Sequence, residues 1–193
     1  ENEFIEEYFF EMETAFCEEC HTFQLVTQPE AKKMFHENYA FFSSLSKNMQ
    51  VHFKSFAEMV MNRFFFGRTD PFVVELGSND GIMLQNFKNN SFRHLGVEPS
   101  SNVGDVAREK GINTISEFFS LALAQQIVEQ HGNADAVICA NVMCHIPDMN
   151  DIAEGIAELL TDDGVLVFEE PYLGDMIAKT SYDQIYDEHV YIF

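Results

Sequence analysis

Val73-Val74-Glu75-Leu76-Gly77-Ser78-Asn79-Asp80-Gly81 is the stretch on which the reading of this 193-residue chain turns. Phe72, Val73 and Val74 supply the apolar body of a buried strand. Gly77 and Gly81 bracket a short polar loop, and Ile82 to Phe87 suits the opening of a helix. Strand, glycine turn and helix start together form a seat for the polar end of a nucleotide-like ligand. Glycines let the backbone come close, and the helix start offers free N–H groups.

Outward from this stretch, strands and helices alternate. Phe72–Leu76 reads as the first strand and Ile82–Lys88 as the first helix. His94–Glu98, Ile112–Ile115, Ala134–Ala140 and Gly164–Glu169 read as further strands. Between them Val103–Lys110, Ser120–His131 and Met149–Leu160 read as helices, the first two closed by Gly111 and Gly132. This βα alternation predicts an α/β, Rossmann-like parallel sheet with helices on both faces. Ligands on such sheets sit at the carboxyl ends of strands near the switch point. Gly77, Glu98, Asn141 and Glu169–Glu170 are therefore the positions to watch. Upstream, residues 29–66 read as mostly helical, with Phe53, Phe56, Ala57, Val60, Met61 and Phe64 at spacings of three and four. Gly67 to Pro71 breaks that pattern.

Composition narrows the function. There are 32 acidic against 11 basic residues, a net charge of −21. Such a surface repels phosphate backbones and anionic lipid, so neither nucleic acid nor membrane is expected as a partner. A hydrophobic content of 46% excludes a disordered chain. With no 18-residue apolar run and no signal peptide, a cytoplasmic setting is the default. The start at Glu1 and the apolar ending Tyr191-Ile192-Phe193 lead us to expect a piece of a longer protein.

Glu98 ends the second strand about 20 residues beyond Glu75, where an acidic side chain can accept both hydroxyls of a ribose. NAD proteins want G-x-G-x-x-G, and Ser78-Asn79-Asp80 offers no second glycine at that place. An acidic loop at a helix start also repels a pyrophosphate. S-adenosylmethionine (SAM) carries a sulfonium and an ammonium, so Glu75 and Asp80 favour it. The expected cofactor set is Glu75, Gly77, Ser78, Asn79, Gly81, Glu98, Pro99, Phe118 and Asn141, with Phe118 beside the adenine. Read alone, Phe118 serves equally well as packing.

With these pieces placed, the sequence resembles the SAM-dependent C-methyltransferases of nucleotide-activated deoxysugars. The matching segments are Cys17 to Leu25, Tyr39 to Ser44, VVELGSNDG, GVEPSSNV (96–103), ANVMCHIPD (140–148), GVLVFEEPYL (164–173) and IYDEH (185–189). The resemblance implies three parts: a partial zinc-binding and helical module (1–50), a SAM domain (51–170), and the start of a sugar-nucleotide domain (171–193). It implies a structural zinc site of two C-x-x-C pairs, of which Cys17 and Cys20 are the second; two thiolates cannot close a tetrahedral site. Cys139 and Cys144 read as small buried apolar residues. Ser43-Ser44 is a candidate N-cap for the helix that follows.

The resemblance also implies the chemistry. Methylating a sugar carbon needs a carbanion, which a neighbouring keto group makes accessible as an enolate. His189 is then the base, with Tyr186 and Glu188 beside it, His145 at the substrate oxygen and Tyr39 reaching the sugar. The family usually carries His where this chain has Asp187. The implied substrate is a nucleotide sugar, and the expected oligomeric state is monomeric. Two other readings stay open: a small-molecule O- or N-methyltransferase, and a SAM-binding piece without turnover.

Overall fold

A computed structural model describes residues 9–193; the first eight residues of the expected N-terminal module lie outside them. At its centre is a five-stranded parallel sheet in the order β5-β4-β3-β6-β7. The strands are β3 (Phe72–Leu76), β4 (Arg93–Val97), β5 (Thr114–Ile115), β6 (Ala134–Ala140) and β7 (Leu160–Glu169). Each lies where the apolar runs predict. The chain starts in the middle, at β3, moves to one edge through β4 and β5, then returns to β6 on the other side of β3. The topological switch point is thus between β3 and β6, directly after Leu76.

Alternation along β3 fills two cores. Val74 and Leu76 pack with α5 (Leu121–His131) and α6 (Met149–Leu159). Val73 packs on the opposite layer, with α2 (Lys47–Phe64), α3 (Leu84–Asn89) and α4 (Ser101–Glu109). Burying each such aliphatic side chain contributes roughly 1.5–3 kcal/mol, so the sheet is the stable floor of the molecule.

Local differences from the sequence reading have simple causes. The third strand shortens to Thr114–Ile115 because Ile112 is drawn under the sheet into the α2 layer. The fifth strand begins at Leu160 because α6 runs into it without a loop, and the extra length is taken up by an irregular register at Ala134/Ala136. The N-cap of α2 is Ser46, whose hydroxyl accepts from the Met49 N–H, and not Ser43 or Ser44. Those two belong to a short 3-10 turn, Ser43–Leu45, and are held by the glycine loop.

A second, antiparallel sheet joins the two ends of the described chain. β1 (Thr14–Phe16) and β2 (Phe23–Leu25) form a hairpin, and β8 (Tyr191–Ile192) adds to β2. The Leu25 N–H also donates to the Val190 carbonyl at 3.0 Å. Residues 171–193, expected to open a separate domain, therefore fold back through α7 (Leu173–Lys179) and finish against the N-terminal hairpin. Among the described residues no helix is long and apolar enough to cross a membrane.

Candidate active site

A cavity of about 910 Å³ opens at the carboxyl ends of β3, β4 and β6. That volume lies at the upper end of the usual range for small-molecule sites, with room for a cofactor and a second ligand. Its floor follows from the strand ends. Gly77 turns out of β3 with φ +63°, and a Cβ there would stand 2.4 Å from Val142 Cγ2. A larger residue would push the loop off the β6 end. Gly81 also has positive φ, but it faces Ile112 and Ala107 and does not line the cavity, so it shapes the loop from behind.

The carboxylates of this half behave differently from one another. Glu98 accepts from the Asn79 N–H at 2.9 Å and the Ser100 N–H at 2.8 Å, one on each oxygen. One lone pair on each oxygen remains, which suits a pair of vicinal hydroxyls. Glu75 is buried, and Oε2 has no hydrogen-bond partner. Burial, then the nearby Glu98 and Asp80, raise its pKa well above the usual carboxylate range. Ser78 Oγ is likewise buried without a partner. Both residues line the cavity. Orphaned buried polar atoms cost roughly 1–3 kcal/mol each, so they mark where a polar ligand belongs. An acidic, cation-free pocket floor of this kind fits SAM.

Asp80 does not share that task. Its carboxylate is taken by Lys110 Nζ at 3.1 Å and by the Ser44 N–H and hydroxyl. It faces away from the cavity and neutralises Lys110. Asn79 is also committed: its Oδ1 accepts from the Ser43 N–H at 2.9 Å, and its amide donates to the Phe41 carbonyl at 3.0 Å. With its N–H on Glu98 as well, Asn79 serves the loop's own structure. Together Asn79 and Asp80 staple residues 41–44 across the cavity, and Asn102 holds the Tyr39 carbonyl at 2.8 Å. Pro99, Phe118 and Asn141 line the cavity as expected, Asn141 with a left-handed φ of 55°.

On the opposite wall the second group gathers from three separate segments. Tyr39, His145, Tyr186, Glu188 and His189 all line the same cavity. His189 Nδ1 lies 2.8 Å from the Gln184 carbonyl. A carbonyl only accepts, so Nδ1 carries the proton and Nε2 presents a lone pair. That lone pair accepts from the Tyr186 hydroxyl at 2.7 Å. Burial lowers the His189 pKa to about 4, against the opposing pull of the Gln184 bond, so the ring is neutral at pH 7. His145 Nδ1 donates in the same way to the Glu188 carbonyl at 2.8 Å, and Phe35 meets its ring edge-on. Tyr39 hydrogen-bonds the Glu188 side chain. Burial raises the pKa values of Tyr39 and Glu188, and raises that of Tyr186 to about 12, so both phenols stay protonated donors.

Glu170 is the residue that sequence reasoning placed at a strand end but gave no task. Its carboxylate accepts from the N–H groups of Val142 (3.0 Å), Met143 (2.7 Å) and Cys144 (3.2 Å). It thereby caps the 3-10 turn Met143–His145 that carries His145. Its position one residue past β7 was the available signal.

Cys17 and Cys20 stand apart from the cavity, in the turn between β1 and β2. The His21 N–H donates to the Cys17 carbonyl, and His21 takes a left-handed φ of 59°. Hydrogen bonds from Thr22, and from Cys17, lower the Cys20 pKa. This knuckle suits two of four thiolate ligands, but among the described residues no third ligand joins them.

The family described as "Methyltransferase domain" matches residues 49–193. The C-methyltransferase NovU of Streptomyces niveus is 30% identical over 188 residues, covering 97% of this chain and 44% of that protein. The chain thus spans less than half the length of this relative. Among solved structures, the amino pentose methyltransferase CalS10 of Micromonospora echinaspora is similar with a TM-score of 0.55. It is 19% identical, over 72% of this chain and 61% of that one. A SAM-dependent methyltransferase from Archaeoglobus fulgidus gives a TM-score of 0.53 at 14% identity, over 64% and 54% of the two chains. At these identities the solved structures speak to the fold alone.

Proposed function

The chain belongs to the methyltransferase-domain family, and on that premise we propose that it moves a methyl group from SAM to a sugar carbon. The acceptor is a nucleotide-activated keto-deoxysugar. The observation that carries this reading is the neutral His189 held 2.7 Å from the Tyr186 hydroxyl, opposite the acidic cofactor floor. A methyltransferase of oxygen or nitrogen acts on a lone pair already present. A methyltransferase of carbon must first make one, and this wall holds what that requires.

SAM would lie along Gly77–Asn79, with its ribose hydroxyls on Glu98, its cationic end toward Glu75 and its adenine beside Phe118. When bound it supplies an electrophilic methyl group. The protein's own part begins with Tyr186. Substrate entry displaces its hydroxyl from His189 Nε2 and turns it toward the keto oxygen. Nε2 then takes the proton from the adjacent carbon, and the electron pair moves into the enolate. Tyr186 and His145 bear on the developing oxyanion, and Glu188 and Tyr39 orient sugar hydroxyls. The enolate carbon would then be placed to accept the methyl group that bound SAM supplies. A depressed pKa keeps Nε2 unprotonated but makes it a weak base, so stabilisation of the enolate must supply the larger share of catalysis.

No lysine or arginine lines the cavity among the described residues. The diphosphate of a sugar nucleotide therefore belongs outside this cavity, and only the sugar enters it. We propose likewise that Cys17 and Cys20 form half of a structural zinc site in the longer protein.

Incubation of the full-length protein with methyl-labelled SAM and a panel of 4-keto sugar nucleotides tests the reading. Label in a carbon-bound methyl of the sugar is the expected result. Label only in ethers or amines, or only with acceptors lacking a keto group, overturns it.

A further inference from the structure

Cys144, His145 and His189 meet in a way that the methyl-transfer chemistry does not call for. One ligand atom from each, the Cys144 sulfur and a nitrogen of each ring, lies within 4.8 Å of the others. The two ring centroids are 4.9 Å apart. The three residues come from two separate parts of the fold: Cys144 and His145 from the turn after β6, His189 from the segment leading into β8.

We propose that these three side chains form a binding site for a zinc-class divalent cation, and that its occupation shuts the site down. Binding does not depend on the reading of the reaction; the shutdown rests on His189 being the base.

Four observations support the site. A sulfur with two imidazoles is a ligand set preferred by zinc and its borderline-soft neighbours. Both rings already donate Nδ1–H to a backbone carbonyl, the outer contact that orients metal-bound histidines and makes Nε2 the ligating atom. The cavity is lined by Glu98, Asp148, Asp151 and Glu188 with no opposing lysine or arginine among the described residues, so its field draws cations inward. Finally, Glu170 stands against the Cys144 thiol. Without metal, burial and that carboxylate keep the thiol protonated. A bound dication reverses the local charge, the thiol proton leaves to solvent, and thiolate plus Glu170 balance the ion. The Tyr186 hydroxyl gives up its bond to Nε2, and the lone pair that would take the substrate proton becomes a ligand. A fourth position is left for water or a substrate oxygen.

The test uses the full chain carrying Cys17→Ser and Cys20→Ser, so that the hairpin thiols bind nothing. Titration with Co²⁺ is expected to produce a thiolate-to-cobalt charge-transfer band, which Zn²⁺ then bleaches. Cys144→Ser is expected to abolish the band while turnover without metal stays near that of the parent. It is also expected to raise the Zn²⁺ concentration that halves turnover by about tenfold or more. His145→Asn, checked for folding by circular dichroism, is expected to weaken the band independently should the Cys144 variant fold poorly. No charge-transfer band at saturating Co²⁺, or a band unchanged in both variants, overturns the site. A band lost in Cys144→Ser with zinc inhibition unshifted overturns the shutdown. The spectroscopic arm needs no substrate, so it stands or falls apart from the methyl-transfer reading.

Discussion

The two walls of the cavity are built by opposite means. The cofactor wall is the end of one parallel sheet. Gly77, Glu98 and Asn141 each follow a strand, and Glu98 is fixed by two main-chain N–H groups from its own loop and the next. The acceptor wall is an assembly of distant parts. Tyr39, His145 and the 186–189 cluster reach one another only because β8 returns to β2 and because Glu170 caps the turn after β6. The first wall inherits its rigidity from the core beneath it. The second depends on a few polar contacts, and its groups are tuned by burial. The contrast suggests that binding and chemistry can be damaged separately.

The sharpest break comes at His189. His189→Asn keeps the shape of the wall but removes the lone pair, and turnover of the full-length enzyme is expected to fall about 10²–10⁴-fold. SAM affinity by calorimetry should remain within about twofold, since no contact of the cofactor wall is touched. Loss of both together would erase the distinction between the walls.

Glu98→Gln probes the other side. The amide places N–H donors against N–H donors at Asn79 or Ser100, and charge-assisted bonds of this kind are worth ~1.5–3 kcal/mol. SAM affinity is expected to fall by roughly 10–100-fold. Turnover at saturating SAM should change far less. A reversed pattern would move Glu98 out of the cofactor wall.

Glu170→Gln has a smaller and more selective effect. It removes one acceptor from the cap of the His145 turn, and turnover is expected to drop about tenfold, equivalent to ~1.4 kcal/mol. Unchanged SAM affinity and a shifted pH profile distinguish positioning of His145 from general loosening. Glu170→Ala should be worse than Gln on every measure.

The smallest effect is on stability. The folded state holds His189 neutral down to about pH 4, whereas an unfolded histidine protonates near ~6.5. Above that value both states are neutral and the contribution to stability is whole. As the pH falls toward 4 the unfolded state binds the extra proton, and stability is lost. Glu75 and Glu98, whose pKa values burial raises, act in the opposite direction, but they are common to wild type and variant. The difference in unfolding midpoint between wild type and His189→Asn should therefore narrow as the pH is lowered from 6.5 to 4. A difference that is constant across this range would remove the buried neutral histidine.

These expectations separate what could be read along the chain from what could not. Val73 to Gly81 was legible because a buried strand, a glycine with positive φ and a helix start leave local marks. Glu98 was legible because parallel neighbours bring their ends together at a set spacing. Asp80, expected to favour SAM by its charge, is instead spent on Lys110 and Ser44, which lie 30 and 36 residues away. Asn79 likewise looked free for a ligand until the fold laid residues 41–44 across it. Glu170 was marked only by its place just past a strand end, and the protonation of His189 left no local mark at all.

The sequence by itself determined the parallel sheet, its switch point and the acidic cofactor floor, since these follow from short-range pattern and strand-end spacing. Only the tertiary structure decided the acceptor wall: the antiparallel return of β8, the Tyr186–His189 pairing and the meeting of Cys144, His145 and His189. The physical reason is range. Backbone preference acts over a few residues, whereas burial, hydrogen-bond partners and the proton on an imidazole are set by whatever the rest of the chain places beside it.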